Sequence, residues 1–326
     1  MHVLIIGAAG MIGRKLTAAI VKDGSLSGKR VDRLTLLDVI APATPEGFSG
    51  QVIAYAANIA DPATAERAIA ARPEVIFHLA AIVSGDAEAN LEKGYTVNLD
   101  GTRLLFDAVR QEHERSAYYP RVVFTSSIAV YGAPLPDVIE DDFALTPLTS
   151  YGTQKAMGEL MLADYSRRGI MDGIGLRLPT ICVRPGKPNL AASGFFSGII
   201  REPLSGLEAV LPVADTVRHW FASPRAAVGF LRHAAKIDLA PLGARRNVML
   251  PGLSVTVAEE IEALRRVAGD KAVSLIRRQP NETIATIVGG WAKAFTPRRA
   301  EALGFVADKS FDEIIRIYIE DDMPKA

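Results

Sequence analysis

Val3-Leu4-Ile5-Ile6 is an unbroken apolar run that opens directly into Gly7-Ala8-Ala9-Gly10-Met11-Ile12-Gly13, and a helical pattern then runs from Met11 to Val21. A short run without polar alternation is what a parallel strand buried on both faces requires. The glycines, spaced G-x-x-G-x-x-G, permit a tight turn, close approach of backbone to a pyrophosphate, and close helix–strand packing. The helix N-terminus at Gly10, Met11, Ile12 and Gly13 offers free N–H groups to phosphate. Three glycines also suit a purely structural turn, but their place between a buried strand and a helix favours the phosphate site.

The same alternation continues along the chain. Arg33–Asp38, Val52–Tyr55, Val75–Ala81, Arg121–Ser127 and Gly173–Leu178 read as further strands, with helical patterns between them. Helices are expected from Asp61-Pro62 to Ala71, from about Glu88 to Glu112, and onward from Tyr151. This order predicts an α/β fold, a doubly wound parallel sheet of the Rossmann kind. Residues 1–180 form that domain. At and beyond its end Pro179, Pro185, Pro188, Pro203 and Pro212 interrupt the pattern. Residues 181–326 are therefore expected to be a smaller C-terminal α+β substrate lobe, with segments returning to the first domain. Helices are expected there at Pro224–Ala235, Val257–Ala268 and Ser310–Ile319.

In such sheets ligands bind outside the carboxyl ends of the strands. Asp38 stands at one such end, 25 residues beyond Gly13. A carboxylate there accepts both hydroxyls of an adenosine ribose and repels a 2′-phosphate, which favours NAD over NADP. Asn58-Ile59 falls where an adenine edge would be met, and Leu79-Ala80-Ala81 is small enough for a ribose to approach. His78, within an enclosed strand, reads as structural.

Tyr151 and Lys155 are one helical turn apart, on one face. A free phenol, with a pKa of about 10, is a poor base at neutral pH. A nearby ammonium favours the phenolate, as proton abstraction from an alcohol requires. The spacing alone is weak, since tyrosine and lysine meet at four residues by chance. It gains weight because Ser126-Ser127 ends a strand 24 residues before the tyrosine.

Gly7-x-x-Gly10-x-x-Gly13, His78-Leu79-Ala80-Ala81, Val97-Asn98-x-x-Gly101-Thr102, Thr125-Ser126-Ser127-x-x-Val130-Tyr131-Gly132 and Tyr151-Gly152-x-x-Lys155 stand in fixed order. Together they resemble the extended short-chain dehydrogenase/reductase family, which contains the NAD-dependent sugar epimerases and dehydratases. The resemblance spans the whole chain, up to Leu303-Gly304-Phe305 and the final helix. It implies that Ser127 holds the substrate oxygen, that Tyr151 is the acid/base, and that Lys155 binds the nicotinamide ribose and lowers the tyrosine pKa. It also implies cofactor contacts from Ser126 and Asn98, with Asn98 holding a relay water, and from Pro179 to Ile181 at the carboxamide. Asn58 departs from the family's more usual aspartate, so altered affinity is expected there. Within the family, Ala80–Gly85, Arg177–Ile181 and Arg218-His219-Trp220 point to oxidation of a small sugar acid, a four-carbon one at C2 giving a 2-oxo-tetronate. An L-threonine dehydrogenase-like activity and sugar-nucleotide epimerisation are the alternatives. Ser84, Ser127, Tyr151, Thr180 and Arg218 are the candidate substrate contacts. Arg218 reads equally as a carboxylate ligand or a surface ion pair, and His219 as a substrate contact or a surface polar group. Family members commonly dimerise through the Asn98 and Tyr151 helices, so a homodimer is expected.

Composition bears on what is excluded. Among 326 residues, 37 basic side chains balance 37 acidic ones, which argues against a nucleic-acid partner. The single cysteine, Cys182, excludes an internal disulfide framework and suits a reducing cytoplasm. No apolar run approaches a membrane span, the chain enters a strand at once without a leader, and the five histidines show no metal-ligand spacing.

Overall fold

The computed structural model describes residues 1–186 and 192–323; Pro188 lies outside them. Seven parallel strands form the central sheet: β1 His2–Ile6, β2 Arg33–Asp38, β3 Gln51–Ala56, β4 Val75–His78, β5 Arg121–Ser127, β6 Asp172–Leu178 and β7 Asn247–Met249. Their spatial order is β3-β2-β1-β4-β5-β6-β7. The order reverses between β1 and β4, which opens a crevice at their carboxyl ends. Every residue of β1 is buried, as its run of apolar side chains demands.

Four helices matter to the site: α1 Met11–Asp23, α2 Pro62–Ala70, α3 Gly101–Ser116 and α4 Ser150–Arg167. Asp61 caps α2 by accepting from Ala63 N, with Pro62 in the first turn, where its missing N–H costs nothing. Phe77, Leu16 and Ile20 belong to the core on one face of the sheet, and Phe106, Leu105 and Phe124 to that on the other.

Two expected elements are corrected. The fourth strand ends at His78 instead of Ala81, and residues 79–83 leave the sheet as irregular chain. The long helix expected over 88–112 is broken into Ser84–Ala89, Leu91–Gly94, a π-helical turn at Tyr95–Asp100, and α3. The π turn holds Asn98, whose Oδ1 accepts from Ile82 N (2.9 Å) and whose Nδ2 donates to Ile82 O (3.3 Å). Widened turns of this sort are frequent at functional sites. Here the wider turn accompanies an asparagine that grips the chain leaving β4.

The C-terminal half divides its loyalties. Helix Pro224–Ala234, capped by Ser223, packs its Ala227, Phe230 and Leu231 into the core beside α1, and β7 extends the sheet beyond β6. The remaining small lobe holds a three-stranded sheet of Thr180–Ile181, Arg218–Ala222 and Leu253–Thr256, and helices Gly194–Leu204, Val257–Ala268 and Phe311–Asp321. Phe196, Phe221, Leu264 and Phe311 form its core. Among the described residues, no helix is long and apolar enough to cross a membrane, and no group of three His, Cys, Asp or Glu is placed to hold a metal.

Candidate active site

The first wall of the crevice is the glycine-rich turn. A Cβ on Gly13 would lie well inside contact distance of Gly7 O and close to the Ala8 backbone, so only glycine lets α1 pack this tightly behind β1. Gly10 provides no side chain to cap α1, which leaves the first-turn N–H groups of Met11 and Ile12 free for an anion. Asp38, at the end of β2, accepts from Ala9 N (2.9 Å) and Val39 N (2.7 Å) and is thereby fixed beside that turn. Asn58 is exposed, with its Oδ1 taken by Ala60 N (3.0 Å), while the Ile59 side chain is buried in the core beneath it. A tight backbone cradle, unpaired N–H groups and an anchored carboxylate fit a dinucleotide.

Leu79, Ala80 and Ala81 are half-buried and continue the crevice past Gly7. Asn98, behind them, is fully enclosed. Besides gripping Ile82, it donates to Gln154 Oε1 (2.8 Å), and its main-chain carbonyl accepts from Thr102 Oγ1 (2.7 Å). The side chain is thus bonded on both its oxygen and its nitrogen within the protein. His78 Nε2 bonds Thr102 Oγ1 (2.9 Å); burial, aided by the Lys155 charge, pushes its pKa down to about 3, so the ring is neutral and structural.

Ser126 and Ser127 end β5 with opposite fates, because successive side chains of a strand face opposite ways. Ser126 Oγ donates to Glu159 Oε1 (2.6 Å) and is buried, so its backbone is the part left for a ligand. Ser127 Oγ accepts from Ala129 N (3.1 Å) and adjoins the Tyr151 phenol, whose pKa it works to lower. Tyr151 is in the first turn of α4, capped by Thr149 Oγ1 accepting from Gly152 N (3.0 Å). A Cβ on Gly152 would collide with Ala129 O, so glycine there allows the helix start to press against the end of β5.

Lys155 is buried one turn on. Its Nζ donates to Thr125 O (2.8 Å) and sits 4.8 Å from the Phe124 ring centroid and 5.7 Å from that of Tyr151. Burial lowers its pKa to about 7, against the pull of Glu159. Burial raises the Tyr151 phenol above its usual value, opposed by the charge of Arg184 and then by the bond with Ser127.

On the small-lobe side, Pro179 links β6 to the short strand Thr180–Ile181. Thr180 Oγ1 bonds His219 Nε2 (2.7 Å), and Ile181 O accepts from Arg184 Nε (2.9 Å). His219 is buried against Phe196 and Trp291, and its pKa is pushed down to about 4 by that burial. Arg218, its neighbour on the strand, points the other way. It donates to Ser254 O (2.8 Å) and pairs with Glu259 (3.2 Å), the arrangement of a surface ion pair. Ser84 begins the short helix after Val83 and is half-buried.

Sequence reasoning missed Arg184, Gln154 and the buried cluster of Glu159, Arg177 and Tyr131. Arg177 grips Glu159 through Nε (2.9 Å) and Nη2 (2.7 Å) and reaches Tyr131 Oη through Nη1 (2.6 Å). A charge inside the Leu176–Leu178 stretch of a buried strand was a visible sign that a buried partner had to exist.

A phenol able to serve as base, set beside a groove fit for a dinucleotide, places the chain among Rossmann-type oxidoreductases. The chain belongs to the NAD-dependent epimerase/dehydratase family, whose model matches residues 3–239. It is 51% identical over 325 residues to the D-erythronate dehydrogenase of Cupriavidus necator, covering 98% of each chain. To the D-erythronate dehydrogenase of Haemophilus influenzae it is 40% identical, covering 99% of this chain and 100% of that one. A crystal structure described as the nucleoside-diphosphate-sugar epimerase from Agrobacterium tumefaciens superposes with a TM-score of 0.97 at 65% identity, covering 98% of this chain and 94% of that one.

Proposed function

We propose that this enzyme oxidises a secondary alcohol of a small sugar acid with NAD, D-erythronate at C2 to the 2-oxo-tetronate being the best-supported case. The observation that carries the substrate is the 51% identity, over 98% of both chains, to a D-erythronate dehydrogenase. The bound nicotinamide supplies the acceptor for the hydride that leaves the carbinol carbon. The chain's residues handle the proton and the alignment. Ser127 Oγ orients the substrate hydroxyl, and Tyr151 takes its proton as the carbonyl forms. Lys155, held near the phenol, steadies the ribose side of the site. Thr180 and Ser84 offer hydroxyls to the remaining substrate oxygens. Met11, Ile12 and Gly13 hold the pyrophosphate on their N–H groups, Asp38 the adenosine ribose, and the backbone of 79–81, Ser126 and 179–181 the nicotinamide half.

The Agrobacterium structure's description favours a second reading, epimerisation of a nucleotide sugar, in which the cofactor is reduced and reoxidised within one turnover. A panel of D-erythronate, other aldonates, L-threonine and UDP-sugars with NAD, followed by absorbance of NADH, separates them. Net NADH from erythronate supports the dehydrogenase; conversion of UDP-sugars without net NADH, and none from aldonates, sinks it.

NAD is preferred to NADP in this reading because the 2′-phosphate would meet the Asp38 carboxylate, which the Ala9 and Val39 N–H groups keep in place. Asp38→Ala is expected to narrow the kcat/KM ratio of NAD over NADP by about ten- to a hundredfold, the worth of a charged hydrogen bond. Equal use of both cofactors by the wild type would show that Asp38 does not face the ribose.

Reading the protein as a homodimer, we assign the contact to the outer faces of α3 and α4. Leu160 and Met157 lie one turn apart on α4 and are 67% and 38% exposed. Leu160→Glu is expected to shift the mass measured by light scattering from two chains to one; an unchanged mass places the contact elsewhere.

A further inference from the structure

Four cations lie on the elements that surround the reacting end of the crevice, and three of them are already committed. Lys155 donates to Thr125 O and is tucked against Phe124. Arg177 is held by Glu159 and Tyr131, and Arg218 by Glu259 and Ser254 O. Arg184 differs. Among the described residues no carboxylate lies within ion-pair distance of it, and its guanidinium is anchored only by neutral groups, Ile181 O at 2.9 Å and Ser193 Oγ at 3.1 Å. Its backbone is equally fixed: Arg184 N donates to Ser197 Oγ (3.0 Å) and Arg184 O accepts from Arg201 Nη1 (2.7 Å). The outcome is a pre-positioned, partly buried cation whose charge has not been neutralised.

Its position is informative. Arg184 follows Thr180 by four residues, its Nε bonds the carbonyl of Ile181 next to the Thr180–His219 pair, and its charge works to lower the pKa of both Tyr151 and His219. His219 is neutral at physiological pH, so it adds no charge of its own. A sugar acid entering this site brings a carboxylate out of water, and an unpaired buried charge is costly. A planar guanidinium with a free edge is suited to bind that group through two parallel bonds. Resting on the sugar-acid reading above, we propose that Arg184 is the residue that recognises the substrate carboxylate, with Thr180 and His219 forming the polar wall beside it. Arg184 thereby selects small acids and sets which carbinol carbon faces Tyr151.

The alternative role for Arg184 is to act on Tyr151 alone, and neutral substrate analogues distinguish the two. D-Erythronate and its uncharged primary amide are assayed with NAD on wild type, Arg184→Gln and Arg184→Lys. NAD binding is followed in parallel by protein fluorescence and folding by thermal melting. Expected for Arg184→Gln is a rise in KM for erythronate of about 10²-fold or more, typical of stranding one partner of a desolvated charge pair, with a much smaller loss on the amide and NAD affinity nearly unchanged. Arg184→Lys, which keeps the charge and loses the fork, should fall between, and it carries the test if the glutamine variant melts early. Equal losses on acid and amide would overturn the inference, because they report an effect through Tyr151. So would an unchanged KM for erythronate in both variants while the wild type oxidises it. A wild type inert towards erythronate would defeat the proposed function first, and this inference with it.

Discussion

Tyr151→Phe is expected to lower turnover by about 10²–10⁴-fold, the usual loss on removing a general base, while leaving NAD affinity close to that of wild type. The phenylalanine ring fills the same space at the start of α4, so the helix cap by Thr149 and the contact with Ala129 persist. What disappears is the oxygen that takes the substrate proton. The pH dependence follows from the same group. Burial holds the phenol above its ordinary pKa in the free protein, and the base must be deprotonated to act. Oxidation by the wild type should therefore quicken as pH rises from about 6 to 9, and the residual rate of the variant should lose that dependence. Stopped-flow NADH formation across that range is the check. Undiminished turnover in Tyr151→Phe would remove the phenol from the mechanism.

The largest effect on stability is expected at Glu159. Its carboxylate is enclosed in the protein, gripped by two nitrogens of Arg177 and by Ser126 Oγ. Taking away one partner of a buried pair strands the other, at about 3–5 kcal/mol, whereas replacing both with apolar groups of similar volume is often neutral. Glu159→Ala should thus move the urea midpoint far down, and the double change Glu159→Leu with Arg177→Met should recover most of it. Glu159 also favours the charged form of Lys155, so the single variant should weaken catalysis as well. An unfolding free energy within about 1 kcal/mol of wild type for Glu159→Ala would mean the pair is exchanged freely with water.

The contrast between Ser126 and Ser127 shows how far the sequence reaches. Both stand at the end of an apolar run, and both match the same motif. The period of two in a strand sends one inward to Glu159 and the other towards Tyr151. That alternation was legible, but the face that points into the crevice was not, since it depends on which side α4 packs.

By itself the sequence determined the scaffold and the line of the crevice. Buried apolar runs separated by helical patterns admit a parallel sheet. In such a sheet Gly7, Asp38, Ala81, Ser127 and Thr180 must gather at one edge, because they all sit at or just beyond carboxyl ends of strands. The tertiary structure alone decided which polar groups remain available at that edge. Asn98 is spent on Ile82 and Gln154, Ser126 on Glu159, and Arg218 on Glu259, while Arg184 meets no acid among the described residues. β7 likewise comes from residues 247–249 and closes the sheet beyond β6, a pairing with no local signal. The physical reason is common to all of these. Hydrophobic periodicity is a local property that a strand or helix carries along its own length. A hydrogen bond or ion pair is settled by whichever group the folded chain brings within about 3 Å, from any distance in sequence.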